Sequence, residues 1–475
     1  MAATRTSRIA GALTDGRTAV WAVVGALLFV LQAGALANFV VGLTVDALLA
    51  LPGVDSVGFL TALENAAQSI PTLLSRETIP NEGYYDGSGY EGTFLGLSPA
   101  MAWALRATLV YLYAFVALGW LVWGLQIYRQ EHRAADWTPR DDMLDRFRGH
   151  KWGIFGLVIV FMFVTMAVFA PALGPTTVDQ NMRNTYGHEV SYWDSETQSV
   201  DSIVVGQANL GSLSQGNDRN IGPWSYDDYG RFHPFGTMQD GSDLFTFLVV
   251  GSRISLVIGV LSVALSASIA ASLALTSAYY KGRVDLSMVL VSDAVMAMPQ
   301  LLLLIMLTTV LRETWISEVY SGGFLLALIF AFTGWTYMWR SIRGPALQIS
   351  EREWIDAARS FGQTPITIMR KHMLPYVTGY LLIYGSMTLG GAIIAIAGLS
   401  FLGLGVDPPT PEWGRAVNAG QDYVDTASWH ISLIPGILIT LVVTGFNALG
   451  DGIRDAIDPE SDSASGEAAG RGGGA

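Results

Sequence analysis

The 475-residue chain contains no cysteine, which excludes disulfides, thiolate metal ligands and a cysteine nucleophile. Lysine is almost as scarce: Lys151, Lys281 and Lys371 are its three occurrences, and arginine supplies the rest of the 27 basic side chains. Charge of either sign is sparse, at 14% of residues, where a soluble domain carries roughly a quarter. Three nucleotide-binding and hydrolase signatures are missing as well. No G-x-x-x-x-G-K-[ST] loop is present to cradle ATP phosphates, and neither H-E-x-x-H nor G-x-S-x-G occurs. His188, His233 and His430 are scattered without metal-ligand spacing. What fills the chain instead is apolar: 51% of residues are hydrophobic and the mean hydropathy is +0.39. This composition predicts an all-α polytopic membrane protein.

Eight apolar runs are long enough to cross a bilayer, which takes roughly twenty residues. The first two, about 19–44 and 107–127, belong to an N-terminal extension over 1–150, with a Gly/Tyr/acid-rich loop at 52–98 and Arg106 at the entrance of the second run. Ala35-Leu36-Ala37 offers a signal-peptidase site, but the apolar run continues to Leu51, so the first run reads as a retained helix. Trp120, Trp123 and Tyr128 at the end of the second run read as an interfacial aromatic anchor. The remaining six runs, in a core over 151–459, cover about 152–173, 254–279, 285–311, 322–340, 379–404 and 430–449. A long polar segment, 174–246, shows no sustained helical period, and the Ser/Gly/Ala-rich tail 460–475 reads as disordered.

Between the sixth and seventh runs lies a polar elbow, Ser350 to Pro375. Ser350 with Glu353 has the spacing of a capping box that starts a helix at Glu351, and Gly362 can end it in the left-handed conformation. Thr364 followed by Pro365 predicts a second helix, with Arg370, Lys371 and His372 in its last turn and Pro375 as its stop. Trp354, Ala358 and Phe361 fall on one face of the first helix, and small Ala357 and Ala358 permit close approach of another backbone. Placing this elbow, the N-terminus, 128–151, 280–284 and the tail on one side gathers nineteen of the 27 basic residues there. By the positive-inside rule that side, with both termini, is cytoplasmic. The formal charge of −13 and the shortage of lysine resemble proteins of salt-loving archaea, whose acidic surfaces maintain solubility.

Asp356-Ala357-Ala358, three residues, Gly362, nine residues and then His372-Met373-Leu374-Pro375 resembles the EAA loop of ABC-importer permeases. Asp356 replaces the glutamate of that pattern, and His372 its isoleucine, as in the peptide-permease branch. His233-Pro234-Phe235-Gly236-Thr237, Gly251-Ser252-Arg253-Ile254-Ser255-Leu256, Leu399 to Val406 with Pro408-Pro409-Thr410-Pro411 and Trp413-Gly414, and Phe446 to Gly452 are similar to signatures of the dipeptide/oligopeptide/nickel permeases. The similarity runs over about 152–459, with 174–230 as an apparent insertion. It implies a transport subunit that performs no covalent chemistry and holds no cofactor itself, with ATP and Mg on partner ATPase subunits. The implied partners are those ATPases, docked on the loop residues Glu353, Asp356, Ala357, Ala358, Gly362, Leu374 and Pro375, a second related permease chain and an extracellular solute-binding protein. The implied cargo is a dipeptide or oligopeptide, with nickel chelates and oligosaccharides as alternatives within the family.

Two further features carry functional readings. Asp293 is an ionisable residue inside the fifth run, where it either serves an ion path, as in an ion-coupled secondary transporter, or pairs with a neighbouring helix or an interfacial arginine. Ser386, Gly390, Gly391, Ala395 and Gly398 have small-xxx-small spacing in the seventh run, a pattern that permits close helix packing or lines a path.

Overall fold

The computed structural model describes residues 16–49, 58–68, 70, 72, 74–133 and 138–457. The polar residues at the extreme N-terminus and the tail read as disordered lie outside the described residues. Fifteen helices organise what is described: α1 (Gly16–Leu31), α2 (Ala33–Leu49), α3 (Gly58–Gln68), α4 (Pro99–Ile127), α5 (Pro139–Gly149), α6 (Lys151–Val168), α7 (Val205–Gly211), α8 (Leu244–Tyr280), α9 (Gly282–Met296), α10 (Gln300–Leu311), α11 (Gly323–Ser350), α12 (Glu353–Ser360), α13 (Leu374–Phe401), α14 (Trp413–Gly420) and α15 (His430–Ile457), with short helical turns between them. Among the described residues, six helical stretches are long and apolar enough to span a membrane, and two bent pairs bring the count to eight if each pair is one span. The chain is an all-α polytopic membrane protein. The fifth apolar run is not one straight helix: α9 and α10 meet at 84°, because Pro299 lacks an N–H and its ring blocks the preceding turn. The first run is likewise bent, by 64° between α1 and α2.

Packing groups the chain into two units that do not follow chain order. Among the described residues, one comprises those within 16–138, 165–253 and 419–434; the other comprises those within 139–164, 254–418 and 435–457. Helices α6, α8 and α15 each pass from one unit into the other.

In the first unit, α4 is pinned by buried side chains. Trp103 donates its indole N–H to the Leu173 carbonyl at 2.8 Å. Arg106, expected at a helix entrance, is fully buried and donates to the carbonyls of Ala172, Ile79 and Gly174 at 2.7, 2.6 and 3.0 Å. Trp120 stacks on Trp21 of α1. The polar segment after α6 is ordered around an antiparallel hairpin, Glu189–Asp194 with Ser199–Val204, and the short α7.

The start of α8 explains the H-P-F-G-T stretch. Asp243 precedes the first residue of the helix, and its carboxylate accepts the Thr246 N–H at 2.6 Å, as an N-cap should. His233 Nδ1 bonds the same carboxylate at 2.9 Å, and its Nε2 lies 3.6 Å from Asp227, which also accepts from Arg231 Nε at 2.6 Å. Burial disfavours the charge on His233, but the two aspartates outweigh it and raise its pKa. Burial would likewise raise the Asp227 carboxyl; His233 and Arg231 hold it well below the carboxylate range instead. Gly236 adopts a φ of +81°, and a Cβ there would sit 2.5 Å from the Ile221 carbonyl and 2.6 Å from His430 Nε2. A glycine is obligatory at that turn.

The second unit is built around α11. Trp335, Met338, Trp339, Ile342 and Ala346 are buried against Ala270, Ala274 and Ala278 of α8. Helices α6 and α15 cross where Gly153 faces Gly452: a Cβ on Gly153 would meet the Gly452 Cα at 2.8 Å. Gly414 opens α14 so close to α13 that a Cβ would lie 1.8 Å from the Ala397 carbonyl. These contacts give a physical reason for the glycines of the two C-terminal signatures.

Candidate functional site

The elbow between α11 and α13 differs from its sequence reading in three ways. No capping box forms. Helix α11 runs on through Ser350, whose hydroxyl donates back to the Leu347 carbonyl at 2.7 Å, and α12 begins after Arg352 with no side-chain cap. The i−3 carbonyl competes for the serine once the preceding helix extends that far. Next, Pro375 does not end the second helix. Thr364 caps it as expected, accepting from the Thr367 N–H at 3.4 Å with Pro365 in the first position. The chain then widens into a π turn over Met369–Met373 and enters α13 without a break. The wider turn makes room for the proline ring and its missing donor, so Arg370, Lys371 and His372 sit in mid-helix rather than at a C-terminus. The last difference is the face. Ile355 and Ala358 are the buried residues of α12. Trp354 and Phe361 point outward, at 43% and 86% exposure.

Gly362 has a φ of +73° and closes α12, its N–H bonding the Arg359 carbonyl and the next N–H bonding that of Ala358. Ala358, at 5% exposure, belongs to the same buried cluster as Trp339, Ala274, Ile368 and Met373. The elbow is therefore fastened to the bundle by its small and aliphatic side and displays Phe361 and Ile366, the latter 72% exposed, on either side of the Gly362 turn. Glu353, Asp356 and Ala357 are exposed around this knob, and Asp356 pairs with Arg359 at 3.3 Å. Leu374 is half-buried and Pro375 exposed at the start of α13.

A cavity of about 650 Å³ opens among α8, α10, α11 and α13. Its polar lining is uncharged: Ser262, Ser266, Gln300, Tyr337 and Thr388. Gly391 and Ala395 line it from α13, and nothing lies within 4 Å of a Cβ built on Gly391 or Gly398. Gly390 faces the other way, where a Cβ would meet Phe446 and the Val443 carbonyl of α15 at 3.2 and 3.3 Å. Ser386 shares that side, next to Gly450. The small residues of α13 thus form two stripes, one packed on a helix and one open to the cavity. Gln300 and Tyr337 were not singled out from the sequence; the Pro299 interruption was the available pointer.

Asp293 on α9 bonds Arg340 on α11, three residues beyond Tyr337. A second pair, Asp285 with Arg343, joins α9 to α11, Arg343 Nε donating at 2.7 Å, and Ser277 of α8 donates to the same aspartate.

Long apolar helices around a polar-lined cavity, one of them broken at a proline, with an apolar knob carried on a helical elbow, are the features of a membrane transport subunit. Residues 264–462 match the model of the binding-protein-dependent transport system inner membrane component, and residues 138–188 that of the N-terminal transmembrane domain of oligopeptide transport permease C. The chain is 32% identical over 323 residues to the glutathione transport system permease protein GsiD of Escherichia coli O6:K15:H31, covering 68% of this chain and 91% of the relative. The same figures hold for GsiD of Shigella boydii serotype 4. GsiD of Pectobacterium atrosepticum is 35% identical over 243 residues, 50% of this chain and 78% of the relative. The chain belongs to the binding-protein-dependent transport system inner membrane component family: it is a multi-pass permease subunit of an ABC importer, a class that works with ATPase and binding-protein partners.

Proposed function

We propose that this permease imports dipeptides or oligopeptides by alternating access through the cavity among α8, α10, α11 and α13. The relatives' names and the uncharged polar lining of the cavity support this reading; a lining of hydroxyls and one amide can meet peptide N–H and C=O groups without imposing a net charge. Cytoplasmic ATPase subunits, which would hold ATP and Mg, dock on the elbow, and a second related permease chain completes the path. The basic-residue count supports a cytoplasmic elbow and cytoplasmic termini. Closure of the ATPases would rock the bundle between two states that bind cargo differently.

The observation that carries the proposal is the Gly362 turn, which holds Phe361 and Ile366 exposed while Ile355 and Ala358 lock the elbow to α8 and α11. Ala358→Glu would bury a charge in that cluster, and Phe361→Asp would alter only the knob. Both should abolish ATP-dependent peptide uptake; the second should do so with normal membrane insertion and with loss of ATPase co-purification. Normal co-purification and uptake in both variants would overturn the docking assignment. The pairing of Asp293 with Arg340 leaves an ion-coupled transporter without a free carboxylate on this helix.

A further inference from the structure

A second cavity, of about 220 Å³, lies in the other unit. Its walls are amphipathic. Ala35, Leu74, Val168 and Phe169 contribute apolar surface, Asn38, Thr72 and Ser75 polar groups, and two arginines, Arg76 and Arg253, line it as well. Val168 is the last residue of α6, so the cavity sits at the end of a span, the level at which headgroups meet the acyl region.

Arg76 is the unusual member. Its Nε and Nη1 atoms are buried and, among the described residues, have no hydrogen-bond partner. Burial is the largest influence on it and lowers its pKa, with Glu82 and Glu77 opposing through space. Glu77 lines the cavity too but is exposed. Arg106, whose bonds go to three carbonyls rather than to a carboxylate, adds a second positive charge close enough to repel Arg76. A desolvated guanidinium with two unmade bonds is expensive to keep. A planar fork of this kind matches phosphate oxygens in a bidentate arrangement.

We propose that this cavity seats a phosphate-bearing anion, supplied by the headgroup of an anionic phospholipid, with Arg76 as its principal donor and the apolar wall against the start of the acyl chains. Basic pockets between membrane helices bind anionic headgroups on the same principle. The occupant would fill the space beside α2, α6 and α8, so that the lipid becomes part of the wall of this unit.

The test uses the full chain in nanodiscs of phosphatidylcholine with or without phosphatidylglycerol, reading lipid retention by native mass spectrometry and the melting temperature. Wild type should retain phosphatidylglycerol and melt higher in its presence. Arg76→Gln should lower retention about tenfold, the equivalent of one charge-assisted bond, while melting as wild type does in phosphatidylcholine alone. Arg76→Lys, which keeps the charge without the fork, should fall between the two. Glu77→Gln, which removes the competing carboxylate, should retain at least as much lipid as wild type. Inorganic phosphate titrated into phosphatidylcholine discs separates the sources: a shift with phosphate and none with phosphatidylglycerol assigns the seat to the free anion. Equal retention by wild type and both Arg76 variants, or no response to either probe, would overturn the proposal.

Discussion

Trp21 and Trp120 form a reciprocal clasp: each indole N–H donates to the other residue's backbone carbonyl, at 3.1 and 2.9 Å, while the rings stack 4.7 Å apart and 5° from parallel. Two glycines make the approach possible. A Cβ on Gly25 would lie 2.2 Å from the Trp120 ring, and one on Gly124 would lie 2.4 Å from the Trp21 ring nitrogen. This clasp joins α1 to α4, beside a further bond from the Tyr113 hydroxyl to the Leu28 carbonyl at 2.7 Å. In a lipid environment, where apolar contact alone does not drive helices together, close packing and hydrogen bonds do.

Gly124→Val should therefore separate α1 from α4 and lower thermal stability by an overpacking cost of about 1–3 kcal/mol. Trp21→Phe should lose one bond, about 1 kcal/mol. Gly119→Val serves as the control, since nothing lies within 4 Å of that position. Indistinguishable melting curves for the Gly119 and Gly124 variants would sink the clasp as a stabilising contact.

The two stripes of α13 predict opposite phenotypes for adjacent glycines. Gly390→Leu should drive into Phe446 and α15 and reduce the yield of folded protein. Gly391→Leu should fold and insert normally, because its side chain has open space, yet narrow the cavity and reduce peptide uptake. Yield after size-exclusion chromatography and uptake in proteoliposomes separate these effects; a folded, inactive Gly390 variant alongside an active Gly391 variant would reverse the assignment.

The His233 cluster predicts a pH window for the polar segment that precedes α8. The folded-state pKa of His233 is raised, so its contribution is full below the ordinary histidine value of about 6.5 and is lost as pH rises through the folded value. Asp227 is depressed, so its contribution is full above the ordinary carboxylate value of about 3.9 and is lost as pH falls through its folded value. Resistance of residues 174–246 to limited proteolysis should decline on the alkaline side. His233→Gln should flatten that decline while lowering resistance near neutrality. An alkaline limb unchanged in the variant would remove His233 as its cause.

Orientation has a clean probe, because the chain has no native cysteine. A cysteine at Gln363, in the exposed Gly362 turn, should react with an impermeant reagent from the cytoplasmic side alone, and one at exposed Asn217 from the other side. Reaction of both from one side would break the eight-span arrangement.

Family and fold class were legible from the chain because they rest on local patterns. Apolar runs of bilayer length, the Asp356 to Pro375 spacing and the Thr364-Pro365 start each involve residues close in sequence, and the left-handed Gly362 follows from a side chain it does not have. What the chain alone left open was every choice between two acceptable partners. Ser350 could cap the next helix or close back on its own, and the extension of α11 decided it. Trp354 and Phe361 could have been the core face of α12; packing against Ala274 and Trp339 required the slimmer Ile355 and Ala358 instead. Arg106 looked like an interfacial charge until three carbonyls from distant turns converged on it. His233 looked isolated because Asp227 and Asp243 lie six residues before it and ten after, and only the loop's return brings them together. Helical and apolar character is written in neighbours, whereas the destination of a polar or small side chain depends on which distant backbone arrives beside it, and tertiary structure alone decides that.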